Sequence, residues 1–416
     1  MNQLRQDLSV AVVGGGAAGF FGAIACAEAN PHTQVTLYEA GPQPLAKVRI
    51  SGGGRCNVTH HCFDPTLLVQ NYPRGGKALR GAFSRFQPKD TVAWFAKRGV
   101  KLKTEADGRM FPVTDDSATI VDCLMGAARQ AGVSVVVRSP VTSVEKTTDG
   151  FELQLKGDRG YVKCNRLLLA SGSSPAGHRI AKSLGHTIES PTPSLFTFNV
   201  ADKKLHQLSG VAVNSVTLRL KVEGLKKPLM QSGPLLITHW GLSGPAVLKL
   251  SAWGARALHT QKYRATLRVN WLPELKQDDV RLALQQCKQE TPKKALATYS
   301  PFSPISKRLW QYLLGRVQVE ESLTWANLAK KQMNGLVTEL TQGSYLVGGK
   351  GTFKDEFVTC GGVRLKEVDF KTMESRQCSG LHLAGEILDI DGVTGGFNFQ
   401  SAWTTGWLGG CAIANN

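Results

Sequence analysis

Gly14, Gly16 and Gly19 stand in a G-x-G-x-x-G spacing, and Glu39 follows twenty residues after the last of them. That set can hold a diphosphate on backbone N–H groups and leave a carboxylate for ribose hydroxyls. Gly14 allows a tight turn. Gly16 lets the backbone approach a pyrophosphate at a helix N-terminus, which Ala17 and Ala18 open. Gly19 lets helix and strand pack closely. The context agrees with the motif. Residues 8–13 form a valine-rich run suited to a buried parallel strand. Residues 17–29 are small and helix-compatible. Residues 35–38 give a second strand that ends at Glu39. An acid at that place favours a free ribose, so FAD or NAD fits better than NADP.

Two further loops carry groups suited to an anionic or π-rich ligand. Residues 51–57 read SGGGRCN, with Lys47 just upstream. Gly53, Gly54, Arg55, Cys56 and Asn57 there offer backbone donors and a cation. Residues 165–172 read NRLLLASG, a buried strand whose small end, Ala170 and Gly172, can pass close to a cofactor. Residues 380–396 read GLHLAGEILDIDGVTGG and supply Gly385, Glu386, Asp391, Gly395 and Gly396. Phe397 and Asn398 then open a helix running to about residue 413. A C-terminal strand and helix that return to an N-terminal dinucleotide domain suit FAD. The last helix can aim its positive end at the flavin pyrimidine.

The 416 residues suffice for two or three domains. The apolar fraction of 42% excludes a disordered chain, and nine cysteines, an odd number, exclude a disulfide scaffold. Scattered cysteines fit a reducing, cytoplasmic setting. Residues 10–27 lack charge and lie behind Arg5. Asp7 and three consecutive glycines argue against a leader or a membrane span. Cys56, His60, His61 and Cys62 are too tightly and irregularly spaced for a zinc site, so no metal is expected. Gly348-Gly349-Lys350-Gly351 lacks a strand–helix context and reads as a turn. Any NAD(P)H would therefore bind transiently as reductant.

The net charge is +18. Residues 201–268 hold 11 Lys/Arg against two acids, residues 71–110 ten against three, and residues 276–332 ten against five. The surplus lies largely away from the glycine fingerprint. A phosphate-rich macromolecule is one explanation and solvated basic loops are another.

Six segments occur in order: SGGGRCN, GRMFPVTDDSATIVDCL, ASGSSPAGHRIAKSLGH, THWGLSGPAVLKLS, CGGVRLKEVDFKTMESR and GLHLAGEILDIDGVTGGFNFQSAW. With them the chain resembles, from about residue 10 to 410, the bacterial flavoproteins variously named aminoacetone-oxidase-like, BaiN-like or YhiN-like. The resemblance implies an α/β fold: a glutathione-reductase-type FAD-binding Rossmann domain with a β-rich, barrel-like insertion and a small helical insertion. On that basis residues 1–192 and 354–416 form the FAD domain, 193–275 and 333–353 the β-rich insertion, and 276–332 the helical one. One branch of the family resembles a ribosomal RNA dihydrouridine synthase, one is linked to bile-acid dehydroxylation, and one name implies an amine oxidase.

The resemblance implies an FAD oxidoreductase that reduces a C=C bond, such as a uridine in ribosomal RNA or its precursor, using NAD(P)H. The alternative is a small-molecule flavin oxidase or dehydrogenase acting on an amine or steroid-like substrate. A uracil that gains hydride at C6 needs an acid to protonate C5. Cys56 can be that acid or a packing residue beside the loop. His239, in THWGLSGP between a strand and a helix, can reach substrate or cap its loop. Arg109 can grip an anion or pair with an acid.

Overall fold

The computed structural model describes residues 8–157, 160–351 and 358–415. Arg5, Asp7 and the expected boundary between residues 353 and 354 lie outside them. The chain divides into two compact units, residues 1–192 with 358–416, and residues 193–357.

The first unit is built on β1 (Ser9–Val13), α1 (Ala17–Ala29) and β2 (Gln34–Tyr38). β1 sits in a seven-stranded sheet, with β2 on one side and the strand Arg166–Leu169 on the other, both parallel to it. Leu381–Leu383 adds in parallel beyond Arg166–Leu169, and Ser134–Val136 beyond β2. Two short antiparallel strands, Val368–Asp369 and Glu374–Ser375, finish one edge. Central parallel strands are covered on both faces, hence the unbroken apolar run of β1. The helix Phe397–Ala414 is apolar on nearly all sides and buried along most of its length, as is α1. The two helices cross at glycines. A Cβ on Gly410 would lie 2.1 Å from the Gly22 carbonyl oxygen, and one on Gly406 2.5 Å from that of Ala18.

A buried polar clamp ties the sheet edge to the chain after the helix Pro175–Ser183. Glu367 Oε2 lies 3.0 Å from His186 Nδ1, and Ser375 Oγ lies 2.9 Å from His186 Nε2. Ser375 Oγ already accepts from the Gln377 and Cys378 amides, so its own proton goes to Nε2 and the imidazole proton sits on Nδ1. The order Ser–His–Glu is that of a hydrolase, but the His186 side chain is 0% exposed, so the trio acts as a fastener. Burial pushes the His186 pKa down, against the pull of Glu367. The buried His178 and His382 are lowered by the same cause. The unfolded chain therefore takes up protons below about pH 6.5 that the folded chain refuses. Thermal melts are expected to show stability falling from about pH 6.5 toward the lowered folded values. His186→Asn should flatten that slope by up to one proton; an unchanged slope would contradict the assignment.

The second unit holds a closed six-stranded barrel. Around it run Phe198–Val200, Gly241–Ser243, Leu229–Thr238, Ala212–Lys221, Ala265–Asn270 and Gly343–Lys350. Leu218, Leu220, Leu267 and Val269 alternate inward, and their core continues into the helices Gln277–Glu290, Lys307–Arg316 and Lys330–Gln342. The helical and β-rich segments thus share one hydrophobic core. Two sequence expectations are corrected here. Helical structure continues past residue 332, through Gln342, because Met333, Leu336, Val337 and Leu340 are buried on one helical face. Gly348–Lys350 is barrel strand and not a turn, paired with Phe198–Val200 across a bulge. Strand pairing in the closed barrel overrides the weak strand preference of glycine.

Candidate functional site

The glycine turn joins β1 to α1. Gly14 has φ +111°, and a Cβ there would lie 2.4 Å from the Ala170 carbonyl oxygen. A Cβ on Gly19 would lie 1.9 Å from the Gly14 carbonyl oxygen. So Gly14, Gly19 and Ala170 are pressed together by the backbone alone. Gly16 differs, because a Cβ there would meet nothing within 4 Å. It is the N-cap of α1, no side chain caps the helix, and no acid occupies its first turn. The first N–H groups, from Ala17 onward, therefore have no side-chain cap and carry the positive end of the helix.

Glu39 lies at the end of β2, half-buried. Its Oε2 accepts from Gly15 N (2.7 Å) and its Oε1 from Gly41 N (2.6 Å). The carboxylate is thus oriented by backbone, and each oxygen keeps acceptor capacity for a hydroxyl. These residues fit the diphosphate and ribose of a dinucleotide.

Other expected residues fall into three groups in the same unit. Lys47 Nζ lies 2.7 Å from Glu386 Oε2, and Glu386 Oε1 accepts from Thr359 N (3.0 Å). Gly172 lies beside that carboxylate, and Gly385 beside Ala18. In the second group, Asn57 donates to the Thr59 carbonyl (3.1 Å) and accepts from Gly396 N (3.0 Å) when its amide is turned to satisfy both. Gly395 leads into the helix that Gly396 caps without a side chain and without an acid in its first turn. Phe397 stacks on His60, with ring centroids 4.7 Å apart. Asn398 exchanges two hydrogen bonds with Gly392 and closes the loop ahead of the helix.

The third group is a charged rim. Arg55 lies over the Phe111 ring (4.1 Å) and pairs with Glu105 (2.7 Å). Arg109 pairs with Glu105 (2.8 Å) and Asp107 (2.7 Å), which is the acid-pairing alternative for this residue. Gly53 and Gly54 face open space.

Three further expected residues have settings that bear on their assigned roles. Asp391 is 0% exposed and forms a two-point ion pair with Arg74. Cys56 is also 0% exposed, and burial pushes its thiol up to about 12, so it stays protonated. A thiol reagent such as Ellman's is expected to leave Cys56 unmodified in the folded protein; labelling at the rate of a free thiol would contradict its burial. His239 belongs to the barrel unit. It occupies an exposed turn between Leu229–Thr238 and the short strand Gly241–Ser243, which stands between it and the expected helix.

Several residues of the site had no signal in the sequence. Tyr72 donates to the Phe397 carbonyl (2.7 Å). Buried Gln400 accepts from Thr59 (2.6 Å) and Thr91 (3.0 Å). Among the described residues, no group of three or more His, Cys, Asp or Glu could hold a metal ion, and no helix is long and apolar enough to cross a membrane.

Comparison with known proteins agrees with this geometry. The 3-dehydro-bile acid delta(4,6)-reductase of Clostridium scindens is 29% identical over 97% of this chain and 98% of its own. The ribosomal RNA dihydrouridine synthase of Escherichia coli is 32% identical over 95% of each chain. The 3-ketosteroid-delta4-(5alpha)-dehydrogenase from Rhodococcus jostii RHA1 shares the fold, with a TM-score of 0.52 at 13% identity, covering 100% of this chain and 99% of that one. The HI0933-like protein Rossmann domain matches residues 8–412, which include the glycine turn, Glu39 and most of the C-terminal helix, and the chain belongs to that family of FAD-dependent oxidoreductases.

Proposed function

We propose that this chain is a cytoplasmic enzyme that reduces a C=C bond of a uracil base in ribosomal RNA or its precursor, with NAD(P)H as transient reductant. The observation that carries this reading is the charge. A surplus of +18 concentrated outside the glycine fingerprint suits a polyanionic substrate and has no use with a steroid. The name of the Escherichia coli relative supports the same class. FAD, when bound, supplies hydride chemistry to the double bond.

The chain's own residues hold and orient. The N–H groups from Ala17 onward, with Gly16, would hold the diphosphate, and Glu39 would hold the ribose. Lys47 pairs with Glu386 in the same unit, and the helix capped by Gly396 would offer its positive end to negative charge on a bound flavin. Cys56 is sealed and protonated, so it supports the loop.

The test is deletion of the gene followed by mapping of dihydrouridine in ribosomal RNA. Loss of one site, restored by the wild-type gene, is expected. An unchanged map in a host that carries the modification would overturn the reading. A second reading, a small-molecule reductase or oxidase, is favoured by the name of the Clostridium scindens relative. It requires turnover of a steroid-like or amine substrate without RNA.

A further inference from the structure

We infer that the outer wall of the barrel is a docking surface for the phosphate backbone of structured RNA. The inference rests on the RNA reading above and adds to it a location and a mode of contact.

Four neighbouring barrel strands, Leu229–Thr238, Ala212–Lys221, Ala265–Asn270 and Gly343–Lys350, contain no Asp or Glu. Their register sets the outer face. Arg219 stands opposite Met230 on one side and Arg268 on the other, and Arg268 stands opposite Ser344. On the next rung Lys221 faces Thr266, which faces Leu346. Arg219, Lys221 and Arg268 are exposed, and Arg264 extends the row just before its strand. In each strand the alternate residues, such as Leu218, Leu220, Leu267 and Val269, fill the core.

Two arginines directly opposite each other on a sheet destabilise it, because their Cβ atoms come within about 5.5 Å. Here no carboxylate in the four strands offsets that repulsion. The arrangement makes sense when an external polyanion supplies the counter-charge. Leu346, 74% exposed, and Met230, 49% exposed, interrupt the cations with apolar contact area. The outward positions of these strands carry no aromatic ring on which an unstacked base could rest. Contact is therefore with phosphates and helix shape, and not with splayed single-stranded bases. The loop at residues 222–228 prolongs the basic edge with Lys226 and Lys227 and carries one acid, Glu223.

The test uses the FAD-loaded full chain and protein-free bulk ribosomal RNA as probe, with binding measured across a salt series. Wild type is compared with Arg219→Gln/Arg268→Gln and with a control, Lys89→Gln/Lys97→Gln, which removes two exposed cations from the other unit. Flavin absorbance and melting temperature establish that each variant is folded. The barrel variant is expected to lower the slope of log K against log salt by about 1.4–1.8, from roughly 0.7–0.9 per neutralised phosphate. It should also bind about tenfold more weakly at about 0.15 M salt, with the control near wild type. Equal losses in both variants, or none in the barrel variant, would overturn the surface while leaving the RNA reading intact. Absence of RNA binding by wild type would instead remove the RNA reading itself. Capture by phosphatidylserine vesicles without RNA binding would reassign the face to a membrane.

Discussion

Gly16→Asp is expected to expel FAD from a protein that stays folded. Gly16 has φ −89° and ψ −169°, an extended conformation open to any residue, and its Cβ direction is empty. Aspartate is a favoured N-cap, so the apoprotein should melt at an equal or higher temperature. The new carboxylate would sit where we place the cofactor diphosphate. Two unit charges about 4 Å apart repel by about 4 kcal/mol at an effective dielectric of 20. Affinity should therefore fall by up to about 1,000-fold. Gly16→Ser, a neutral cap, should lose far less. The measurement is flavin retention on gel filtration, alongside the apoprotein melt. Retention of FAD by the aspartate variant would move the diphosphate away from α1.

Arg74→Ala is expected to cost about 3–5 kcal/mol, because it removes a partner from the buried carboxylate of Asp391. For a unit of this size that corresponds to a melting temperature lower by about 10 °C. The cause is the loss of the two-point cation from a buried charge, so adding Asp391→Asn to Arg74→Ala should recover part of the loss. High salt should change neither value much, since the pair is screened poorly by solvent ions. A loss within 0.5 kcal/mol, the range of ordinary surface substitutions, would show that the pair contributes little.

These two variants mark the two kinds of legibility in this chain. The glycine turn was readable because its demands are local. Gly14, Gly16 and Gly19 lie within one turn and helix start, and Glu39 returns to Gly15 through one strand. The Arg74–Asp391 pair was not readable, because its members are 317 positions apart and nothing near either announces the other. Asp391 was visible as an acid in a glycine-rich loop, and its acidity was assigned to the cofactor when burial gives it a protein partner. The same holds for Tyr72 and Gln400, whose partners come from remote segments. Residues 333–342 carry a clear helical spacing of buried positions, but the strand that follows begins without a turn and blurs the change of period. Gly348–Lys350 failed for the opposite reason. Its local composition pointed to a turn, and barrel closure decided otherwise.

The crossing of α1 with Phe397–Ala414 has a consequence for how the protein is made. The fingerprint at residues 14–19 is synthesised hundreds of residues before its covering helix, Phe397–Ala414. Residues 193–357, being continuous in sequence, can collapse while the tail is still being synthesised. The Rossmann half must wait, its glycine-lined helix exposed, for a partner hundreds of residues further along the chain. Cofactor capture on the completed sheet thus follows the synthesis of Leu381–Leu383 and of this helix. A stalled or prematurely terminated chain would carry a folded barrel beside an apolar N-terminal segment fit for chaperones and proteases.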